Sequence, residues 1–256
     1  MSNRLNREES IVISKWFVAN RVEIHDLKTH DGEFLHLLGP NGSGKSSLLE
    51  SIAGLLFQAS GEIKIFNRQL IDWPLSELAH QRAYLGQHLS CQFELSVADV
   101  IGFFAAHSHI PESVEQALEV NSLMSLPLNQ LSGGQQQRVH IARALLQVWP
   151  AVQQGRAIIV LDEPLQHLDI THQQSCLVLL QKIAAMGNTV VMSSHDINLS
   201  NQFATSIALL KSGKILFQGS PQQVMNVTKL NLVFECDFHL VYSENEYEFF
   251  HPRVNS

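Results

Sequence analysis

Short runs of apolar residues alternate with amphipathic stretches along most of the chain. The runs 34–38 and 157–161 are almost continuously apolar, which is typical of strands that are buried on both faces of a parallel sheet. This alternation predicts an α/β fold in which helices cover both faces of a mostly parallel sheet. The predicted strands are 11–18, 33–38, 62–66, 82–85, 157–161, 189–192 and 206–210.

Two segments depart from this alternation. Between about 96 and 150 the apolar residues recur at helical spacing, as at Val97, Val100 and Ile101, which predicts an inserted helical subdomain. A turn at 211–214 joins two apolar runs and predicts a hairpin, and two short helices and a strand pair are expected after Ser220. The predicted organisation is a core of 1–95 with 151–225, a helical subdomain of 96–150, and a C-terminal extension of 226–256.

The charge balance argues against nucleic acid as a partner. Lys and Arg number 17 and Asp and Glu number 24, which gives a net charge of −7 with the 13 His neutral. Proteins that bind a phosphate backbone usually carry a basic face instead. Charged residues make up only 16% of the chain and hydrophobic residues 45%, which excludes a disordered tail and is enough for a sizeable core.

The N-terminal segment and the cysteines indicate a reducing compartment. Residues 1–10 are polar and lack the apolar stretch of a signal peptide, and no apolar run reaches the roughly 18 residues that span a bilayer. We therefore expect a soluble chain whose membrane role, if it has one, comes through a partner. Cys91, Cys176 and Cys236 are odd in number and widely spaced, as expected for free thiols.

One glycine-rich segment predicts a phosphate-binding loop. It matches G-x-x-x-x-G-K-[ST], follows a buried strand and opens an amphipathic helix, whereas a chance glycine-rich turn would lack this context. Its backbone N–H groups and the helix N-terminus attract phosphate oxygens. Lys45 would reach the β- and γ-phosphates of ATP, and the Ser46 hydroxyl would bind Mg²⁺. The segment consists of Gly39, Pro40, Asn41, Gly42, Ser43, Gly44, Lys45, Ser46 and Ser47.

Two carboxylates directly follow the strand 157–161. In open parallel sheets this position lies beside the phosphate-binding loop, whereas an Asp-Glu pair elsewhere is usually a solvated loop. Asp162 can belong to the Mg²⁺ shell, which leaves Glu163 to polarise the attacking water.

The order of the remaining motifs points to a family. Leu131-Ser132-Gly133-Gly134-Gln135 opens a helix, Gln87 follows one predicted strand, and His195 follows another. Together with Lys45 and Asp162-Glu163, this order over about residues 10–225 resembles the ATP-binding subunits of ABC transporters. The resemblance implies a RecA-like P-loop core with an N-terminal antiparallel β subdomain and an inserted α-helical subdomain that carries the signature.

The resemblance also implies roles for residues outside the phosphate-binding loop. A Ser-Gly-Gly segment at a helix start is itself an anion site. In the family, two chains form a head-to-tail dimer in which each ATP lies between the Lys45 loop of one chain and the Ser132, Gly133, Gly134 and Gln135 segment of the other. Gln87 would sense the γ-phosphate and complete the Mg²⁺ ligands with Ser46 and Asp162. His195 would contact the γ-phosphate, and Asp169 would act across the dimer.

Several positions leave alternatives open. The loop before Asp169 reads Gln166-His167-Leu168, without the serine that is usual in the family. Trp16 or Phe17 could stack on adenine, although core packing is the more ordinary role for either. Phe103-Phe104 is interpreted as core, and 88–104 as the region that meets the permease. The histidine pairs 107/109, 167/172 and 25/30 lack the carboxylates or cysteines that a metal site needs.

A single cassette without a membrane span favours the ATPase subunit of a bacterial importer. The segments 82–87, 191–198, 210–214 and 147–155 resemble the ATPases of vitamin B12 (cobalamin) importers, with haem and ferric-siderophore importers as alternatives. The implied partners are a second copy of the chain, two membrane permease subunits and, indirectly, a periplasmic solute-binding protein. The implied location is peripheral, on the cytoplasmic face of the inner membrane.

Two other classes of ABC protein fit less well. A non-transport ATPase that acts on DNA or ribosomes would carry long coiled coils or a second cassette, and the net charge of −7 also opposes it. A catalytically inactive regulatory cassette would have lost Lys45 or Glu163, and both are present.

Overall fold

The computed structural model describes residues 8–19, 21–56, 59–87, 94–103, 109–242 and 248–253. Its strands form a central sheet, an N-terminal sheet and a C-terminal hairpin. The strands are β1 Glu9–Val18, β2 Val22–His30, β3 Phe34–Leu38, β4 Ala59–Ile65, β5 Arg68–Gln69, β6 Arg82–Leu85, β7 Ile158–Leu161, β8 Thr189–Ser193, β9 Ser206–Lys211, β10 Lys214–Gly219, β11 Phe238–Tyr242 and β12 Glu248–Pro252.

Helices of four to sixteen residues cover the sheets. Among the described residues, no helix combines the length and the apolar character that a bilayer crossing requires. The helices are α1 Lys45–Ile52, α2 Leu75–Gln81, α3 Val97–Gly102, α4 Glu112–Leu118, α5 Gly133–Gln147, α6 Trp149–Gln153, α7 Ile170–Ala185, α8 Ile197–Phe203, α9 Pro221–Val224 and α10 Val227–Phe234.

The central sheet has the strand order β10-β9-β3-β8-β7-β6. All neighbours in it are parallel except β10, which pairs antiparallel with β9 through the hairpin expected at 211–214. Every residue of β3, β7 and β8 is buried, as the continuous apolar runs predict. The predicted α/β class with a mostly parallel sheet is therefore confirmed.

The N-terminal sheet is antiparallel, in the order β2-β1-β4-β5. The strand prediction missed β2, although β2 pairs with β1 along nearly its whole length. Its buried residues Val22, Ile24, Leu27 and Thr29 alternate with exposed ones, but two exposed residues in succession shift the alternation after Ile24. This shift breaks the period of two on which the prediction relied.

The helices α3 to α6 pack against the central sheet through one continuous hydrophobic core. The described part of 96–150 contains helices and a single isolated bridge, between Ser96 and Pro127, as the helical spacing predicts. Ser96 caps α3 in a capping box with Asp99. The interpretation of Phe103 as a core residue is wrong, because its side chain is 72% exposed at the end of α3. Phe104 lies outside the described residues.

The C-terminal elements match the two helices and the strand pair that we expected after Ser220. They enclose a separate hydrophobic core with α8, in which Phe238 and Phe250 are buried. Asn198 of α8 also accepts a hydrogen bond from Phe250 N at 2.8 Å and donates one to Phe250 O at 3.3 Å. Cys176 and Cys236 are free, and burial raises the pKa of the Cys176 thiol to about 12. Cys91 lies outside the described residues.

Asn188 joins three elements in the interior. Its Oδ1 accepts from Ala157 N at 2.9 Å, and its Nδ2 donates to Val152 O at 3.0 Å and to Ile183 O at 2.9 Å. Asn188→Ala leaves the buried Ala157 N–H without an acceptor and removes two further buried hydrogen bonds, so the free energy of unfolding should fall by about 2–4 kcal/mol. Urea denaturation followed by circular dichroism measures this. The exposed Asn121→Ala is the control, and an equally small effect of both substitutions would contradict the prediction.

Candidate active site

Polar residues follow four neighbouring parallel strands and meet at the carboxyl edge of the central sheet. The loop 39–47 follows β3, and Gln87 follows β6. Asp162 and Glu163 follow β7, while His195 follows β8. Parallel strands end at the same edge, so the sheet order brings these segments together. They form a cleft of about 620 Å³, lined by Arg21, Asn41, Gly42, Ser43, Gly44, Lys45, Ser46, Ser47, Gln87, Glu163, Gln166 and His195.

The loop after β3 has the backbone geometry of a phosphate cradle. A Cβ on Gly39 would lie 2.2 Å from the Leu210 carbonyl oxygen, so no larger residue fits there. Gly44 has a φ of 103°, a left-handed conformation that favours glycine, and it directly precedes α1. The N-terminus of α1 lies in the cleft lining, and its free N–H groups are therefore available to a ligand there.

Lys45 is held against this loop. Its ammonium donates to Gly39 O at 2.8 Å and to Pro40 O at 3.2 Å, and the side chain is buried. Burial lowers the pKa of Lys45, and the negative charges of Glu163 and Asp162 partly oppose this effect. The Ser43 hydroxyl is buried and has no hydrogen-bond partner among the described residues.

Two side chains form hydrogen bonds with the Glu163 carboxylate, one at each oxygen. Gln87 Nε2 donates to Glu163 Oε2 at 3.1 Å, and His195 Nε2 makes a hydrogen bond with Glu163 Oε1. Glu163 itself has a left-handed backbone, with a φ of 49°, which turns the chain sharply after β7. The three residues come from three different strand ends, so the carboxylate is oriented toward the cleft by long-range contacts.

Ser193 at the end of β8 fixes the backbone of this turn. Its hydroxyl donates to Asp162 Oδ1 at 2.5 Å and accepts from Glu163 N at 2.8 Å. Asp162 is almost completely buried. Our prediction did not include Ser193, although a polar residue at the end of the apolar run 189–192 was a usable signal. Arg21 and Gln166, which line the cleft, were also missed.

The structure does not place the signature segment in the cleft of its own chain. Ser132 caps α5, with Gln135 N donating to Ser132 Oγ at 3.3 Å and Ser132 N donating to Gln135 Oε1 at 2.9 Å. Gly133 and Gly134 instead lie against His167, in the loop that leads to α7. Asp169 caps α7 and is likewise absent from the cleft lining.

The two aromatic candidates for adenine stacking have different surroundings. Trp16 packs against the core of the N-terminal sheet and donates from Nε1 to Ser51 Oγ at 2.8 Å. Phe17 is 48% exposed and lines a neighbouring cleft of about 390 Å³ together with Arg21 and Gly42. Only Phe17 of this pair is therefore open to a ligand.

Comparisons with known proteins agree with this geometry. The sequence profile of the family described as ABC transporter matches residues 22–166, which is more than half of the chain. The chain belongs to the ABC transporter family. Our prediction of this family from the motif order is confirmed, and ATP binding follows from membership of this ATPase family.

Individual members of the ABC transporter family resemble the chain over most of its length. The "Vitamin B12 import ATP-binding protein BtuD" of Yersinia pseudotuberculosis is 37% identical over 87% of this chain and 90% of its own. The "Hemin import ATP-binding protein HmuV" of Pseudomonas entomophila is also 37% identical, over 82% and 85%. The solved structure of cbiO1 from Clostridium perfringens, part of the ABC transporter complex cbiONQ, is 27% identical over 88% and 96%, with a TM-score of 0.67.

Proposed function

We propose that this ABC transporter subunit is the ATP-hydrolysing motor of a bacterial importer, and that the importer carries vitamin B12. The observation that carries the motor function is the Glu163 carboxylate, which Gln87 and His195 orient at the cleft beside Lys45. A residue so placed is a candidate general base for water activation. The vitamin B12 substrate is supported by the similarity to the vitamin B12 import ATP-binding protein of Yersinia pseudotuberculosis.

The residues of the cleft fit ATP and Mg²⁺. The buried Ser43 hydroxyl without a described partner and the close-packed Gly39 make a cradle suited to phosphate oxygens. Ser46, Gln87 and Asp162 offer hydroxyl, amide and carboxylate oxygens, which are the ligands that Mg²⁺ prefers. When bound, the Mg²⁺–ATP complex supplies the γ-phosphoryl group and neutralises its charge.

Different residues of the chain would bind the phosphates, accept the proton of the attacking water and orient the base. The Lys45 ammonium would give up its hydrogen bonds to the Gly39 and Pro40 carbonyls and bind phosphate oxygens instead. Hydrogen bonds between an ammonium and a charged phosphate are stronger than those to a neutral carbonyl. Glu163 would accept the proton of the attacking water, while His195 and Gln87 hold its carboxylate. Gln87 is followed by the segment that the resemblance assigns to permease contact, so it would report the state of the cleft to the permease.

A second copy of the chain would complete each site. The segment Ser132, Gly133, Gly134 and Gln135 presents the N-terminus of α5 outward, away from the cleft of its own chain. An outward anion site on one copy can close over the phosphates held by another. Ile170, directly after Asp169, is 75% exposed, which supports an interface there. Phe17 would stack on adenine at the neighbouring cleft.

The proposed partners are two membrane permease subunits and, through them, a periplasmic solute-binding protein. The subunit would then lie peripherally on the cytoplasmic face of the inner membrane. The region 96–150 is proposed to act as one subdomain inserted into a core of 1–95 with 151–225, and residues 226–256 as a C-terminal extension. Phe103, exposed at the end of α3, is a candidate for permease contact.

Growth that depends on cobalamin uptake tests this proposal. A bacterial strain that lacks its cobalamin-importer ATPase receives this chain together with the chain's own permease, and Glu163→Gln serves as the inactive control. Rescue by the wild type alone would support both the motor function and the substrate. The second candidate is haem, because a hemin import relative is equally identical at 37%. Failure on cobalamin with rescue of haem-dependent growth would favour it.

A further inference from the structure

His172 lies between two carboxylates from different parts of the fold. Its backbone N donates to Asp169 Oδ1 at 2.9 Å, and its Nδ1 makes a hydrogen bond of 2.9 Å with Asp169 Oδ2. Both oxygens of the Asp169 carboxylate are therefore engaged by one residue. On the other side of the ring, Nε2 lies 3.6 Å from Glu119 Oε2, a distance suited to an ion pair when the ring is protonated.

Glu119 continues the contact to the helix behind the signature segment. It ends α4 in a left-handed conformation, and its Oε2 lies 3.4 Å from Arg138 Nη1. Arg138 also donates to Leu118 O at 2.8 Å, so it is anchored to the end of α4. Arg138 is a residue of α5, six positions after Ser132 and therefore about 9 Å along the axis.

A second contact joins the same two regions. A Cβ on Gly134 would lie 2.8 Å from the His167 carbonyl oxygen, so the loop before Asp169 packs directly on the glycines of the signature segment. His167 has a left-handed backbone, with a φ of 65°. The loop 164–169 is thus held by the packing of His167 on Gly134 and, at its end, by the contacts of His172 with Asp169.

We infer that His172 is a positioning residue that fixes the Asp169 carboxylate and ties it, through Glu119 and Arg138, to the signature helix α5. The inference rests on the proposed function, in which Asp169 and the Ser132 segment both meet the second copy of the chain. A rigid connection presents both groups together, so neither has to be ordered when the dimer closes. Asp169 is 66% exposed, and its orientation is therefore set by these hydrogen bonds more than by packing.

Steady-state kinetics of five variants test the connection. His172→Ala should lower kcat about tenfold, the loss of one charge-assisted hydrogen bond, and change the KM for ATP less than about twofold. His172→Asn keeps a side-chain donor near the Nδ1 position and should recover most of the loss. Glu119→Gln should lower kcat less than His172→Ala does, and the double substitution should be no worse than His172→Ala alone. His25→Ala, an exposed histidine that also faces a glutamate, is the matched control and should leave kcat unchanged.

Hydrogen exchange without nucleotide gives a readout that is independent of hydrolysis. In His172→Ala, the amides of 132–138 and 164–172 should exchange faster than in the wild type, whereas those of β3 should not change. An unchanged kcat in His172→Ala, or a changed KM at constant kcat, would overturn the inference while an active wild type leaves the proposed function intact. A wild type without ATPase activity would refute the proposed function itself, and unchanged exchange would then also overturn the connection.

Discussion

Glu163→Gln should bind ATP with nearly wild-type affinity and hydrolyse it about 10²–10⁴-fold more slowly, the usual contribution of a general base. The amide is isosteric with the carboxylate and can still bond to Gln87 and His195, so the cleft should keep its shape. The amide has no basicity, however, and cannot accept a proton from water. Phosphate release measures turnover, and equilibrium binding of a fluorescent ATP analogue measures affinity.

A matched carboxylate elsewhere controls for the change of charge. Glu77 pairs with Arg68 at 3.0 Å outside the cleft, and Glu77→Gln should leave turnover unchanged. If Glu163→Gln turned over ATP at the wild-type rate, Glu163 would not be the base. A loss of ATP binding in Glu163→Gln would instead assign the residue to the binding of ATP.

Lys45→Ala should lose ATP affinity by about 100-fold, because one or two charge-assisted hydrogen bonds to phosphate are worth about 1.5–3 kcal/mol each. The ammonium is buried at the cleft and bonds only to loop carbonyls among the described residues, so it is available to phosphate oxygens. Isothermal titration with ATP in Mg²⁺ measures the affinity. Thermal unfolding without nucleotide checks that the variant is folded.

Lys182→Ala provides the matched control, since this lysine is exposed on α7 and lies outside the cleft lining. Its ATP affinity should equal that of the wild type. An unchanged affinity in Lys45→Ala would contradict the assignment of the phosphate-binding loop. Together the Lys45 and Glu163 variants separate binding from chemistry, because the first should lose affinity and the second should lose turnover.

Much of the fold could be predicted because its signals are local. The apolar runs of β3, β7 and β8 identify buried strands, since a strand covered on both faces has no polar side. By contrast, β2 was missed because a shift of its exposed residues disturbs the local alternation, and only its pairing with β1 defines it. Phe103 was assigned to the core because an apolar residue in a helical pattern carries no mark of exposure.

The residues of the candidate site also fall into those that the sequence predicted and those that it did not. Lys45, Glu163 and the Ser132 segment were predicted from short motifs, because close approach to phosphate demands particular residues at fixed spacing. Ser193 and Gln166 were missed although each lies within three positions of a predicted residue, because neither is a position that the motifs assign to the nucleotide. Arg21 was missed because it reaches the cleft from the turn between β1 and β2. His172 and Glu119 are 53 positions apart in the chain, and no local sequence pattern predicts their contact.

The sequence by itself determined which residue types stand at each strand end, and hence which chemistry is possible. Glycines allow a phosphate cradle and an Asp-Glu pair allows a base beside a metal ligand, whatever the rest of the chain does. Only the tertiary structure decided that Gln87 and His195 hold one carboxylate, 76 and 32 positions away from them. The physical reason is the parallel order β3-β8-β7-β6, which gathers at one edge strand ends that lie far apart in the chain.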